Sequence, residues 1–176
     1  MRFAFADPPY LGMGKFYAHL HPEALTWDRI ETHAALAERL MAEYDGFVLC
    51  LASVNLAQIL PLFPVGAARI GAWVKPFASF KPGVPVAYAW EPVIFRSVRG
   101  GRETVRDWVA ENITLQRGLV GAKPRGFCRW CFEIMGAGKG DTLDDLFPGS
   151  GAVSAAWAEW IGGKSPLPEL PLEASA

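Results

Sequence analysis

Asp7-Pro8-Pro9-Tyr10 sets a carboxylate, two ring-locked backbone units and a phenol directly after the short apolar run RFAFA at 2–6. Proline fixes φ, so the two prolines stiffen the chain between the Asp7 carboxylate and the Tyr10 ring. A second chemistry-bearing stretch is GDTLDDLFPGSGAV at 140–153, a strand running into Gly149-Ser150-Gly151 and then a helix. Glycines let a ligand come close to the backbone, and a helix start offers unpaired N–H groups. No Gly-Lys-Ser/Thr follows, so the turn is not a Walker A loop, and the third glycine of a dinucleotide fingerprint is absent. Taken alone, strand-GxG-helix serves equally well as a tight structural turn.

The elements that must carry these stretches follow from pattern. RFAFA reads as a buried strand ending at the tetrapeptide. Thr32 can cap a helix over about His33–Tyr44, with Leu36 and Leu40 on one face, and Asp45-Gly46 breaks it. FVLCLA (47–52) is continuous in apolar residues, as expected of a strand covered on both faces. Ser53-Val-Asn55 opens a short helix that ends near Pro61 and Pro64. RIGAWV (69–74) and WEPVIF (90–95) are two more strands, separated by a loop too rich in proline for regular structure. Thr104-Val-Arg-Asp107 resembles a capping box and predicts a helix through Asn112. Phe127, Trp130, Cys131 and Ile134 share a helical face, so 125–135 is predicted to be an amphipathic helix stopped by Gly136. DTLDDLF (141–147) is a strand and AVSAAWAEWI a helix ended by Gly162-Gly163. Strands alternating with helices predict an α/β domain with a mostly parallel sheet of about five strands.

The 176 residues suffice for one domain. A net charge of −1 gives the whole molecule no general attraction to polyanions. The segment 96–129 differs, with eight Lys/Arg against three Asp/Glu. That imbalance suits either a nucleic-acid-facing segment or an ordinary solvated surface. Cys50, Cys128 and Cys131 make no disulfide framework, and MRFAFADPP lacks a signal peptide's long apolar region, so a reducing, cytoplasmic location without membrane association is expected. Cys128 and Cys131 have no second pair and are expected to pack in the core. His19, His21 and His33 lack the spacing of a metal site.

The two motifs together resemble the S-adenosylmethionine-dependent amino-methyltransferases that act on exocyclic amines of DNA bases. DPPY matches that family's catalytic motif, LDDLFPGSGAV resembles its cofactor motif, and GLVGAKPRGFCRWCFEIMGAGKGD (118–141) looks like the segment preceding the cofactor motif. Catalytic motif first and cofactor motif last is the circularly permuted order called the beta class. The resemblance spans most of 1–161. It implies a reduced Rossmann-like methyltransferase domain over 1–163 with a proline-rich tail at 164–176. It also implies site-specific DNA methylation with S-adenosylmethionine as cofactor, at adenine N6, toward which Asp in the first motif position leans. Cytosine N4, an RNA base, or a non-catalytic nucleic-acid-binding module are the alternatives.

Residue by residue, the resemblance makes Asp7, Pro8, Pro9 and Tyr10 catalytic. An exocyclic amine is a poor nucleophile because its lone pair is delocalised into the ring. The Asp7 carboxylate and Pro8 carbonyl would accept its hydrogens and draw the nitrogen toward a tetrahedral state, while Tyr10 stacks on the extruded base. Phe5, Ala6 and Asp7 on one motif, with Lys123, Pro124, Asp145, Phe147, Gly149, Ser150 and Gly151, would hold the cofactor, Asp145 near its amino group. Lys15, Lys75, Phe77, Lys81, Arg96, Arg99 and Arg102 are the candidates for DNA contact. Two departures stand out. No strand is expected between the GSG helix and the proline-rich stretch, and so no counterpart there of the acid that usually holds the ribose. The sheet should therefore end beside 142–147 with an open edge, which a second subunit or the tail is expected to cover. There is also no sizeable target-recognition insertion.

Overall fold

A computed structural model describes residues 1–19, 22–77, 83–98, 104–113 and 122–162. Lys81, Arg99, Arg102, His21 and the 164–176 tail lie outside the described residues. The chain is α/β, with strands β1 (Arg2–Ala6), β2 (Gly46–Cys50), β3 (Arg69–Val74), β4 (Trp90–Arg96), β5 (Trp108–Ala110) and β6 (Thr142–Asp145). Its helices are α1 (Ile30–Glu43), α2 (Leu56–Ile59), α3 (Arg125–Met135) and α4 (Ala152–Ile161). One six-stranded sheet has the order β5-β3-β4-β2-β1-β6. β1 pairs in parallel with both β2 and β6, and β3 with β5, whereas β4 runs antiparallel to β2 and β3.

Alternation along the central strands splits the core into two layers. Phe3, Phe5, Val48, Cys50, Val93 and Phe95 join the buried residues of α3 and α4 on one face. Ala4, Ala6, Phe47, Leu49 and Ile94 join Leu36, Ala37 and Leu40 of α1 and Ile59 of α2 on the other. Both faces of β1 and β2 are therefore covered, which is why, apart from the exposed Arg2 that opens β1, their sequences carry no polar side chain except the buried Cys50 thiol. The chain leaves β1 through α1 on one face to reach β2, and arrives at β6 through α3 on the opposite face. The gap between β1 and β6 is thus a topological switch point, where open α/β sheets form a crevice at the carboxyl ends of the strands.

The segment 104–112 departs from the sequence expectation. It carries the short strand β5 rather than a helix, and this is the strand beyond the five expected. Long-range bonds override the local capping pattern: Ala72 N donates to Asp107 O at 2.9 Å, Glu111 N to Val74 O at 3.0 Å, and Trp73 Nε1 to Glu111 O at 2.8 Å. Thr32 also does not cap α1. The helix begins earlier, at Ile30, and the Thr32 hydroxyl donates to Thr26 O at 2.7 Å. Helix α3 ends as predicted at Gly136, whose φ of 77° needs glycine. Among the described residues β6 has one sheet neighbour, β1. Among the described residues no helix is long and apolar enough to cross a membrane.

Candidate functional site

Pairing between β1 and β6 sets the site. Phe5 is level with Asp145, and Leu146 N extends the ladder by donating to Phe5 O at 3.0 Å. The next residues on each side are Asp7-Pro8 and Phe147-Pro148-Gly149, so the tetrapeptide and the GSG turn leave the sheet side by side at the switch point.

Asp7 is clamped on one side. Lys123, delivered by the residue before the α3 N-cap Pro124, puts Nζ 2.5 Å from Asp7 Oδ2. The lysine side chain is 7% exposed and the aspartate 21%. Burial works against the ammonium, but Asp7 beside it and the charge of Glu91 more than compensate, and its pKa lies above the ordinary lysine value. The same ammonium lies 6.0 Å from the Tyr10 ring centroid, at the limit of a cation–π contact. Tyr10 Oη donates to Glu91 Oε2 at 2.9 Å, and Glu91 Oε1 pairs with Lys75. Burial first, then the charges of Asp7 and Glu91, push the Tyr10 phenol well above its usual pKa. Each carboxylate thus has its own ammonium, Asp7 with Lys123 and Glu91 with Lys75, and the neutral Tyr10 phenol lies between the two pairs, which is how a low-dielectric site keeps ionised groups together.

On the β6 side, Ser154 Oγ donates to Asp145 Oδ2 at 3.1 Å, while Oδ1 is shielded from solvent without a hydrogen-bond partner among the described residues. Burial raises the Asp145 pKa, and the Ser154 hydroxyl and Phe147 amide oppose this. Gly149 and Gly151 have φ of 42° and 74°, and a Cβ on Gly151 would meet open space. Gly151 is the N-cap of α4, so the first amides of that ten-residue helix have no partner within it. An orphaned carboxylate oxygen on β6 and a helix start a few residues further along the chain are the acceptor and donor types that suit a ligand carrying both an ammonium and a carboxylate.

The structure distributes the remaining candidates unevenly. Phe5 and Ala6 are fully buried core residues, so what they present toward the crevice is backbone. Phe147 is half-buried and packs edge-on against Trp27, centroids 5.0 Å apart. Lys75 is bound up with Glu91 and lies over the Trp73 ring. Lys15 and Phe77 are exposed, the latter 70%. Arg96 is removed from the site. It pairs with Phe47 at the far end of β2, and its guanidinium binds the carbonyls of Met41, Tyr44 and Asp45 at the end of α1. It stabilises that helix terminus instead of facing a ligand beside Asp7.

Glu91 was assigned no role by sequence. Its only signal there is an acid inside an otherwise apolar strand. Tyr17 is a second addition: half-buried, with its pKa raised by burial and then by Asp7, it stands within electrostatic reach of the cluster. Cys50, Cys128 and Cys131 are buried, and desolvation drives their thiols upward, Cys128 to about 12, so they are core groups rather than nucleophiles. No group of metal-ligating side chains occurs among the described residues. No protein-family model matches the chain, and no curated protein matches it.

Proposed function

We propose that this chain is an S-adenosylmethionine-dependent methyltransferase of permuted Rossmann-like organisation, acting on an exocyclic base amine of DNA, with adenine N6 as the target. The observation that carries the reading is the parallel β1–β6 pairing, which brings the Asp7-Pro8 acceptors and the Gly149–Gly151 turn to one crevice. Asp145 Oδ1 would accept from the cofactor's ammonium, and the first amides of α4 would meet its carboxylate. S-adenosylmethionine, when bound, supplies an electrophilic methyl group.

The chain's own residues handle the amine. Lys123 fixes Asp7 through Oδ2, leaving Oδ1 to accept one amine hydrogen while the Pro8 carbonyl accepts the other. Both acceptors draw the nitrogen out of conjugation, and Asp7 Oδ1 receives the proton that the amine sheds. Such proton handling contributes about 10²–10⁴-fold. The Tyr10 ring stacks on the extruded base. The test is incubation with mixed-sequence DNA and labelled cofactor, followed by identification of the nucleoside by mass. N6-methyladenine supports the reading; N4-methylcytosine or label in RNA alone would redirect it.

A second reading is a nucleic-acid-binding remnant that no longer binds cofactor tightly. Titration calorimetry with S-adenosylmethionine separates the two, since a remnant gives no saturable heat.

A further inference from the structure

Tyr10 has one hydroxyl proton and two carboxylates near it. Its oxygen lies 2.9 Å from Glu91 Oε2 but 3.4 Å from Asp7 Oδ1. Hydrogen bonds from O–H groups centre near 2.7–2.8 Å and fade beyond about 3 Å, so the proton belongs to Glu91. Glu91 is itself fixed: it is level with Trp73 in the β3–β4 ladder, and its other oxygen holds Lys75, whose ammonium sits 4.7 Å from the Trp73 ring centroid. Asp7 Oδ2 is committed to Lys123. Asp7 Oδ1 is therefore the one carboxylate oxygen of Asp7 and Glu91 without a short bond among the described residues, and the phenol is the group best placed to take it.

Resting on the methyltransferase reading, we propose that Glu91 is a positioning residue: by accepting the Tyr10 hydroxyl proton it keeps Asp7 Oδ1 open for the hydrogen of the substrate amine. Without Glu91 the phenol turns to Asp7, its nearest remaining acceptor, and competes with the amine for that oxygen. The competition disappears if the hydroxyl is removed as well, because phenylalanine keeps the stacking ring.

The test uses the full chain with labelled cofactor and mixed-sequence DNA. Glu91→Ala is expected to lower kcat about ten- to a hundredfold, the weight of a hydrogen bond to a charged group, with KM for DNA largely unchanged. Tyr10→Phe changes a residue proposed to touch the base, so its own rate is the reference, and Glu91→Ala combined with Tyr10→Phe is expected to match that rate rather than fall below it. Because Glu91→Ala strands the Lys75 ammonium, the same comparison is made in Lys75→Ala/Glu91→Ala, which removes both charges. A wild-type rate in Glu91→Ala, or a loss that Tyr10→Phe does not recover, overturns the proposal. A second readout is independent of activity: the ¹³C carboxyl signal of Asp7 in aspartate-labelled protein. It is expected to move in Glu91→Ala and return in the double variant. If the wild type transfers no methyl group while this signal behaves as stated, the methyltransferase reading fails and the proton placement stands. A signal that does not move refutes the placement itself.

Discussion

Lys123 Nζ meets Asp7 Oδ2 at 2.5 Å although the two residues are 116 positions apart in the chain. The contact ties the start of α3 to the end of β1, so the group proposed to handle the amine is also a fold contact. The sequence alone suggests that Asp7→Ala would stop catalysis and leave the fold intact. The ion pair changes that expectation. Asp7→Ala leaves a lysine that is 7% exposed without its counter-charge, and the cost is about 2–4 kcal/mol, moderated because Asp7 keeps some solvent contact. Urea denaturation should show this loss, with Asp7→Asn milder and Asp7→Ala/Lys123→Met recovering most of it. An Asp7→Ala protein as stable as wild type would contradict the pairing.

Gly151→Ala separates backbone strain from ligand approach. The left-handed φ of 74° penalises any Cβ by about 1 kcal/mol, yet the added methyl meets no protein atom. A modest fall in Tm is expected with a larger loss of cofactor heat in calorimetry. Equal effects on both would mean that the turn is structural only.

Much of this arrangement is legible in the sequence because local signals and tertiary demands agree there. The β1 run, α3 with its Gly136 stop, and β3 and β4 all follow from periodicity and turn residues. Segment 104–112 does not, because what makes it a strand is remote. Gly71 lets Asp107 and Trp130 approach β3, where a Cβ would lie 2.8 Å from Trp130 Cη2, and Trp130 Nε1 reaches Arg106 O at 2.8 Å. Nothing near Thr104 encodes those contacts. Arg96 shows the same limit for a residue the sequence offers as a DNA contact. A cation in a basic stretch reads as a phosphate contact, but only the fold shows that three carbonyls at the end of α1 surround it. Glu91 and Tyr10, 81 residues apart, leave no joint trace in sequence.

His33 gives a pH signature outside the crevice. Burial lowers its pKa below 6.5, against the opposing influence of the Trp27 carbonyl and Asp28, and its Nε2 lies 2.9 Å from Trp27 O. Below pH 6.5 the unfolded chain binds a proton that the folded chain resists. Stability is therefore complete above that value and declines as the pH falls toward the folded pKa. The slope from this group is at most about 1.4 kcal/mol per pH unit. Denaturation midpoints measured from pH 7.5 to 5 should flatten in His33→Gln, and an unchanged slope would remove His33 as the cause.

Asp145→Asn tests the ligand side of the site. Burial, opposed by Ser154 and the Phe147 amide, holds the Asp145 pKa above its usual value, so the folded state binds this proton more readily than the unfolded one. The linkage sign follows: Asp145 favours the fold at pH below its unfolded value and loses that contribution as pH rises through the folded value. At pH 7.5 the ionised carboxylate is a net cost, and asparagine, which keeps the Ser154 contact, should leave stability equal or improved. Cofactor affinity should move the other way. Oδ1 is the orphaned acceptor proposed for the ligand's ammonium, and losing a charge-assisted hydrogen bond there weakens binding about tenfold or more. Urea melts at pH 4.5 and 7.5 paired with calorimetry read both effects. A variant that is less stable at pH 7.5 and binds cofactor as wild type does would show that Asp145 serves the fold and not the ligand.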